Sequence, residues 1–285
     1  MEINELPRLA KNAGRFREVL SVLVKYELAP WLSNVKAEWV QRHLQSADGT
    51  PLRDLSQPVK VRQALTELGT TFIKLGQILS TRPDLVGPEI AAELSKLQAG
   101  TPADDPGTVI ETIRQELGEH PDNIFAHFDA VAFASASIGQ VHRAVLTNGT
   151  DVVVKVQHEG IETRIRNDLD ILLELAKLAE KYSPEVARYR PVATATEFQK
   201  TLLAELDFTL EQRNVSRFAK NFADDESIRF PSPHPKCCSR RVLTMDLLDG
   251  LSLSNREALV EAGFDLSDLA GRGAGMFLKM VFRDS

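Results

Sequence analysis

The sequence has little cysteine, no long apolar run and no excess of basic charge. Its two cysteines, Cys237 and Cys238, are adjacent and cannot join distant segments, which favours a reducing, cytosolic setting. We interpret them as small residues beside a strand, because no further Cys or His cluster would complete a metal site with His234. The 34 Lys and Arg against 40 Asp and Glu give a net charge of −6, so we expect no nucleic-acid partner.

No stretch approaches the roughly 20 apolar residues of a membrane-spanning helix. The first twelve residues also lack the apolar core of a signal peptide. We therefore expect a cytoplasmic protein, or one held peripherally at the inner face of the plasma membrane. The remaining composition, 43% hydrophobic and 26% charged over 285 residues, is that of one large or two modest globular domains.

The first part of the chain has helical periodicity. Residues 14–28 place Phe16, Val19 and Leu23 on one face among basic residues, which predicts a helix packed on its own domain or an interfacial helix at a membrane. Residues 43–58 are polar and rich in turn formers, which is typical of a linker. Further helices are predicted over 61–80, 89–98 and 105–117.

The pattern changes near Phe125 to β-branched runs. Two of them flank Asn148-Gly149, which is a strong hairpin signal. Beyond the hairpin we predict helices over 161–182, 194–222 and 266–282, with a strand over 241–247. The helix over 194–222 is predicted to open with a capping box at Thr194.

Two lysines lie in apolar surroundings. Lys155 is in Val-Val-Val-Lys-Val, where it is either a strand lysine whose head reaches water or a cation that needs a carboxylate or phosphate partner. Lys74 shares a helix face with Gln77, and Gly76 beside them indicates a close approach. On the helix after the lysine strand, Asp207 and Glu211 lie on one stripe, which is either a solvated face or the source of the carboxylate.

Five motifs in this order resemble those of the UbiB (AarF) family of atypical kinase-like proteins. Lys74-Leu-Gly-Gln77 resembles the family's KxGQ motif, residues 134–142 its alanine-rich loop, and residues 152–156 its lysine strand. Glu205-Leu-Asp207 resembles its ExD motif, and residues 244–250 resemble the strand and hinge between two kinase lobes.

The resemblance implies an α+β fold. It consists of a protein-kinase-like N-lobe, with a small antiparallel sheet plus helices, after an N-terminal helical extension and with the C-lobe largely absent. We expect an amphipathic segment over 1–45, the helical extension over 46–122, the N-lobe over 123–250 and the start of a C-lobe over 251–285. An exposed apolar patch is expected at Phe277, Met280, Val281 and Phe282.

The resemblance also implies ATP and Mg²⁺ as cofactors. Lys155 would hold the α- and β-phosphates and pair with Glu211. The residues that would cover the nucleotide are Phe133, Ala134, Ser135, Ala136, Ser137, Ile138, Gly139, Gln140 and Val141. Those that would border the adenine are Met245 and Leu247. The gating residues, which would meet across the mouth of the site and hinder protein substrates, are Lys74, Gln77, Glu205 and Asp207.

The family continues with an HxDPHPGN-like catalytic loop and a DFG-like metal aspartate, and neither motif occurs in these 285 residues. Since such carboxylates hold Mg²⁺ and orient the nucleophile, we expect no catalytic residue, an incomplete Mg²⁺ site and no turnover. We interpret the chain as a truncated UbiB-like protein that supports ubiquinone (isoprenoid quinone) biosynthesis, with ATP, a membrane surface and quinone-biosynthesis proteins as partners. The alternatives are a nucleotide- or lipid-binding regulatory module, similar to a pseudokinase, and a pure interaction protein.

Overall fold

The computed structural model describes residues 13–28, 55–97 and 100–283. The predicted linker therefore lies largely outside the described residues. In chain order the elements are α1 (Ala13–Lys25), α2 (Gln57–Leu68), α3 (Thr70–Ser80), α4 (Pro83–Val86), α5 (Pro88–Leu94), α6 (Pro106–Leu117), α7 (Pro121–Ile124), β1 (Phe125–Phe128), β2 (Ala134–Ser135), β3 (Gly139–Leu146), β4 (Asp151–Gln157), α8 (Ile161–Tyr182), α9 (Pro184–Ala187), α10 (Pro191–Glu205), α11 (Phe208–Asn221), a 3-10 turn (Pro235–Cys237), β5 (Val242–Asp246), α12 (Arg256–Glu261) and α13 (Leu266–Phe282).

The chain divides into two compact units, each made of separate segments. The first unit contains the helices before residue 105 together with α8, α9 and α10, and the second contains most of the sheet with α6, α7 and the helices after residue 206. The first comprises Met1–Asp104, Ala134–Gln140 and Gln157–Leu206. The second comprises Asp105–Phe133, Val141–Val156 and Asp207–Ser285. Among the described residues, no helix is both long enough and apolar enough to cross a bilayer.

In the first unit, the prediction of a single helix over 61–80 is wrong, because the helix is interrupted at Gly69. This glycine has φ of 86°, a conformation that side chains with a Cβ rarely adopt. Its N–H donates to the carbonyls of Leu65 and Thr66 at the end of α2. The same residue starts α3, so the KxGQ-like motif lies on a helix of its own.

The prediction of one helix over 194–222 is also wrong, since the structure has two helices there. The first, α10, begins at Pro191 rather than at the predicted capping box. Proline suits the first helical turn, because the N–H groups there have no acceptor within the helix and its missing N–H costs no hydrogen bond. It ends at Glu205, and α11 begins three residues later after Asp207. The ExD-like motif therefore spans a helix break.

The N-terminal helix α1 packs within the first unit. Phe16, Val19 and Val22 are buried in a core that includes side chains from α2, α3, α5 and α8. This agrees with the prediction that the helix packs on its own domain. The apolar face that an interfacial helix would present to lipid is covered.

A buried carboxylate joins three helices of the first unit. Asp168 on α8 is 1% exposed, and its Oδ1 accepts a hydrogen bond from Arg15 Nε at 2.7 Å. Its Oδ2 accepts another from Thr71 Oγ1 at 2.7 Å, while Arg15 Nη2 donates to the Leu68 carbonyl at 2.6 Å. Burial lowers the pKa of Arg15, but the hydrogen bonds to Asp168 and Glu18 outweigh it and raise that pKa above its ordinary value. The cluster holds α1 against the α2–α3 junction.

The glycine of the KxGQ-like motif is surrounded by leucines. A Cβ built on Gly76 would lie closer to Leu97 Cδ1 and Leu65 Cδ1 than carbon atoms pack. The close approach predicted at this position is therefore made by side chains of the core.

The second unit contains most of an antiparallel sheet whose strands follow the order β1-β3-β4-β5. The short strand β2, which pairs with β3, and the first two residues of β3 belong to the first unit. The predicted hairpin is confirmed: β3 and β4 are joined by four residues, and Leu146 N–H donates to the Thr150 carbonyl at 2.9 Å. Gly149 supplies the positive φ of 85° that the turn requires.

The valine run of β4 alternates between two environments. Val152, Val154 and Val156 are buried in a core that includes Val109 and Ile113 of α6. Because successive side chains of a strand point to opposite faces, Lys155 lies on the other face of the sheet.

The last helix, α13, presents apolar side chains to solvent. Phe277, Val281 and Phe282 are exposed, Phe282 by 81%, whereas Met280 is half-buried. The predicted patch is therefore present at three of its four residues.

We predict that Asp168→Asn lowers the free energy of unfolding by about 3 kcal/mol, since it removes the buried charge partner of Arg15 and leaves the guanidinium only its pair with the exposed Glu18. Urea denaturation measures the loss. Glu162→Gln is the control, because it removes the same charge from α8 in a pair with Arg166 whose side chains are 30% and 50% exposed, and there we expect a change below about 0.5 kcal/mol. Equal losses in the two variants would show that the buried cluster contributes nothing special.

We also predict that Gly76→Ala destabilises the protein by about 1 kcal/mol, because overpacking against two leucines outweighs the gain in helix propensity. Gly14→Ala in α1 is the control, since a Cβ there meets nothing within 4 Å. We expect no loss of stability in that variant by the same denaturation measurement. A stabilised Gly76→Ala protein would contradict the packing argument.

Candidate functional site

Lys155 and Glu211 form an ion pair in the second unit. Lys155 Nζ lies 2.6 Å from Glu211 Oε2. The two side chains are 27% and 38% exposed, so the pair is in contact with water and contributes about 1 kcal/mol or less to stability. The structure brings together the two residues that the resemblance pairs, and it leaves the ammonium accessible to an incoming anion.

The start of α11 fixes the position of Glu211. Asp207 caps the helix, because its Oδ1 accepts hydrogen bonds from Thr209 N–H at 3.0 Å and Thr209 Oγ1 at 2.6 Å. Phe208 N–H donates to the Arg240 carbonyl at 3.0 Å, which ties the first turn to the segment before β5. Glu211 follows one turn later. The helix also packs on β5, the strand that pairs with β4, so the carboxylate reaches the lysine.

Phe208 is a partner of Lys155 that the sequence analysis missed. Lys155 Nζ lies 4.6 Å from the centre of the Phe208 ring, within the range of a cation–π contact. The ring is 2% exposed. One signal in the sequence points to it: Phe208 and Glu211 are three residues apart, so they share a helix face once the helix is known to begin at residue 208.

The two residues predicted to border the adenine lie at the end of β5. Met245 pairs in register with Val153, two positions from Lys155 on β4, and is half-buried. Paired residues of an antiparallel sheet share a face, so Met245 is on the same face as Lys155. Leu247 follows the strand, and its N–H donates to the Asp151 carbonyl at 3.1 Å.

The predicted gating residues are only partly brought together. In the first unit, Lys74 Nζ lies 2.9 Å from Glu205 Oε2. Gln77 does not join this pair, since its Nε2 donates to the Leu97 carbonyl at 3.2 Å. Asp207 belongs to the second unit, where its carboxylate is occupied as the cap of α11.

The alanine-rich segment Ala134–Gln140 belongs to the first unit and is held there by His158. His158 N–H donates to the Ile138 carbonyl at 3.0 Å, and its buried ring places Nε2 3.0 Å from the Ala136 carbonyl. The other ring nitrogen, Nδ1, lies 3.1 Å from Asp104 Oδ1 but outside hydrogen-bond geometry. Two backbone carbonyls of the segment are therefore fixed by one residue.

Polar side chains of the same segment are also occupied. Ser135 Oγ donates to the Thr101 carbonyl at 2.6 Å, and the Gln140 side chain accepts from Asp104 N–H at 2.6 Å. Ser135 Oγ lies 3.4 Å from His158 Nε2. This is not a Ser–His–Asp catalytic relay, because the ring nitrogen faces the Ala136 carbonyl and the hydroxyl proton is donated elsewhere. Ser137 is buried.

The residues that flank the segment, Phe133 and Val141, belong to the second unit. Phe133 N–H donates to the Val141 carbonyl at 3.0 Å, and the Phe133 ring is half-exposed beneath the guanidinium of Arg143. His142 is fully buried, with its Nδ1 2.8 Å from the Asp129 carbonyl. Burial lowers the pKa of His142 against the opposing effect of that carbonyl, so its ring is neutral at pH 7 and serves the structure.

No metal centre accompanies these residues in the part of the chain that the structure describes. Within residues 13–28, 55–97 and 100–283, no group of three or more His, Cys, Asp or Glu side chains could hold a metal ion. The described residues therefore contain no preformed set of three metal ligands. What the Lys155 site offers is an ammonium held in place by Glu211 beside an apolar strand end.

Comparison with known proteins identifies the family. Residues 96–285 match the family described as "ABC1 atypical kinase-like domain". The "Probable protein kinase UbiB" of Azotobacter vinelandii is 39% identical over 277 residues, which cover 95% of this chain and 52% of the relative. The protein of the same name from Pseudomonas putida is 40% identical over 286 residues, covering 100% of this chain and 52% of the relative.

The chain spans about half the length of these curated relatives. A solved structure, the complex of Rv3197 with erythromycin from Mycobacterium tuberculosis, aligns with a TM-score of 0.47 at 21% identity, over 84% of this chain and 52% of that one. The family match confirms the predicted kinase-like α+β fold, in which the small antiparallel sheet carries Lys155. The chain belongs to the UbiB family of proteins with an ABC1 atypical kinase-like domain.

Proposed function

We propose that this chain binds ATP through Lys155 and that these 285 residues bind the nucleotide without hydrolysing it. The observation that carries the proposal is the ammonium of Lys155, which is 2.6 Å from Glu211 and still in contact with water. In kinase-like proteins a lysine on the third strand contacts the nucleotide phosphates while a helix glutamate holds it. The family membership supports that role here.

The physical chemistry of the pair suits a phosphate. A lysine ammonium has three donors, and Glu211 takes one of them, so donors remain for phosphate oxygens. Because the pair is partly exposed, an incoming phosphate meets a cation that is already oriented and only partly desolvated. Met245, half-buried on the same face, offers apolar surface for a base.

The absence of turnover is proposed from the sequence. The carboxylates that hold Mg²⁺ and orient the nucleophile in phosphoryl transfer belong to motifs that these 285 residues do not contain. The described residues supply phosphate and base contacts.

The biological setting is proposed at the level of the family. Relatives carry the name "Probable protein kinase UbiB". From the resemblance of the motifs we propose that this chain supports isoprenoid quinone biosynthesis at a membrane surface. The nucleotide role of the alanine-rich segment and the gating role of Lys74 and Glu205 stay predictions of the resemblance.

We predict that Lys155→Met weakens the binding of ATP by about 10- to 100-fold, because it removes a charge-assisted contact to phosphate. Isothermal titration calorimetry of the 285-residue protein measures the dissociation constant. Lys279→Met is the control: it removes a lysine, 47% exposed against 27% for Lys155, from another lysine–carboxylate pair, with Asp225, in the same unit. Equal dissociation constants for the wild type and Lys155→Met would overturn the proposal.

We predict that the purified chain releases no phosphate above background at saturating ATP and Mg²⁺, although it binds the nucleotide. A continuous phosphate-release assay measures this over hours. If steady hydrolysis appeared and Lys155→Ala abolished it, the chain would contain a complete catalytic site and the proposed lack of turnover would be wrong.

A further inference from the structure

Lys155 is contacted by two side chains from a single turn of α11. Glu211 provides a carboxylate at 2.6 Å and Phe208 provides a ring face at 4.6 Å. The ring is almost fully buried, so it is desolvated and rigid. A cation over a desolvated ring is held more strongly than one over an exposed ring, because water competes less for it.

The local structure fixes the ring as firmly as the carboxylate. Phe208 is the first residue of α11, directly after the capping Asp207. Its backbone N–H is bound to the Arg240 carbonyl at 3.0 Å. Phe208 therefore has a fixed backbone, a buried side chain and one charged neighbour on its ring face.

We propose that Phe208 is a positioning residue for nucleotide binding, and that its ring holds the ammonium of Lys155 extended towards the phosphates. The inference rests on the proposed function of Lys155. Lysine has a flexible four-carbon stem, and immobilising it on binding costs conformational entropy. A ring that holds the ammonium before the ligand arrives removes part of that cost.

The aromatic ring has an advantage that a second carboxylate lacks. A phosphate and Glu211 are both negative, and both attract the same ammonium. An additional acid at position 208 would repel the phosphate, whereas the ring attracts the cation through its quadrupole without carrying net charge. Phe208 thus restrains Lys155 and leaves the charge of the pair unchanged.

A test that keeps the shape of the core uses fluorinated phenylalanine. Incorporation of 4-fluoro-, 3,5-difluoro- and 3,4,5-trifluorophenylalanine at position 208 of the full 285-residue chain weakens the negative ring face step by step at nearly constant size. We expect the dissociation constant for ATP to rise with each fluorine, to about threefold to tenfold for the trifluoro protein. Trifluorophenylalanine at Phe125 is the control, since that buried ring of the same unit stacks on Phe128; it leaves the ATP affinity unchanged.

The same series is repeated with Lys155→Met and followed by urea denaturation. If the ring acts through the lysine, fluorination at position 208 lowers stability in the wild-type background and has no effect in Lys155→Met. Wild-type binding of ATP that is insensitive to fluorination overturns the inference and leaves the proposed function intact. Failure of the wild type to bind ATP overturns the proposed function. In that case the denaturation series alone tests the contact between the ring and the ammonium. If fluorination at position 208 changes stability equally in the wild type and in Lys155→Met, the contact is overturned.

Discussion

The contact on which the second unit's candidate site depends is that of Lys155, whose side chain is held by a carboxylate and an aromatic ring while 27% of it stays exposed. A strand with buried valines on one face carries it on the other, so the hydrophobic core is separated from the charge by the thickness of the sheet. The first turn of α11 then supplies a carboxylate and an aromatic face. None of these elements alone would orient a flexible side chain, and together they restrain it without removing it from solvent.

The sequence predicts the strand that carries Lys155, the hairpin before it and the pairing with Glu211 through the family motifs. It could not predict Phe208, because the ring reaches the lysine only if a helix begins at residue 208. Periodicity favours one helix through that region, since the apolar spacing continues across it. The break depends on the cap that Asp207 forms with Thr209, a local hydrogen-bond pattern that a hydrophobic repeat does not report. The break at Gly69 depends on the positive φ of that glycine, which a hydrophobic repeat does not report either.

The alanine-rich segment differs in character from a glycine-rich phosphate loop. Glycine gives such loops conformational freedom. Here His158 fixes two backbone carbonyls, while Thr101 and Asp104 occupy the side chains of Ser135 and Gln140. The segment is therefore a braced part of the first unit. The small side chains predict a close approach of backbone, but the bracing could not be predicted, because its partners lie twenty or more residues away in the sequence.

The alternation of β4 has a consequence for how the protein reaches its structure. Buried valines alternate along β4 with residues that point to the opposite face of the sheet, and Lys155 is one of those residues. Lys155 pairs in register with Leu243 of β5. If β4 slipped by one residue against β5, three valines would leave the core that they share with α6 and the ammonium would enter it. Misaligned pairings of β4 with β5 therefore carry an electrostatic penalty, so the charge of Lys155 also favours the correct register of the sheet.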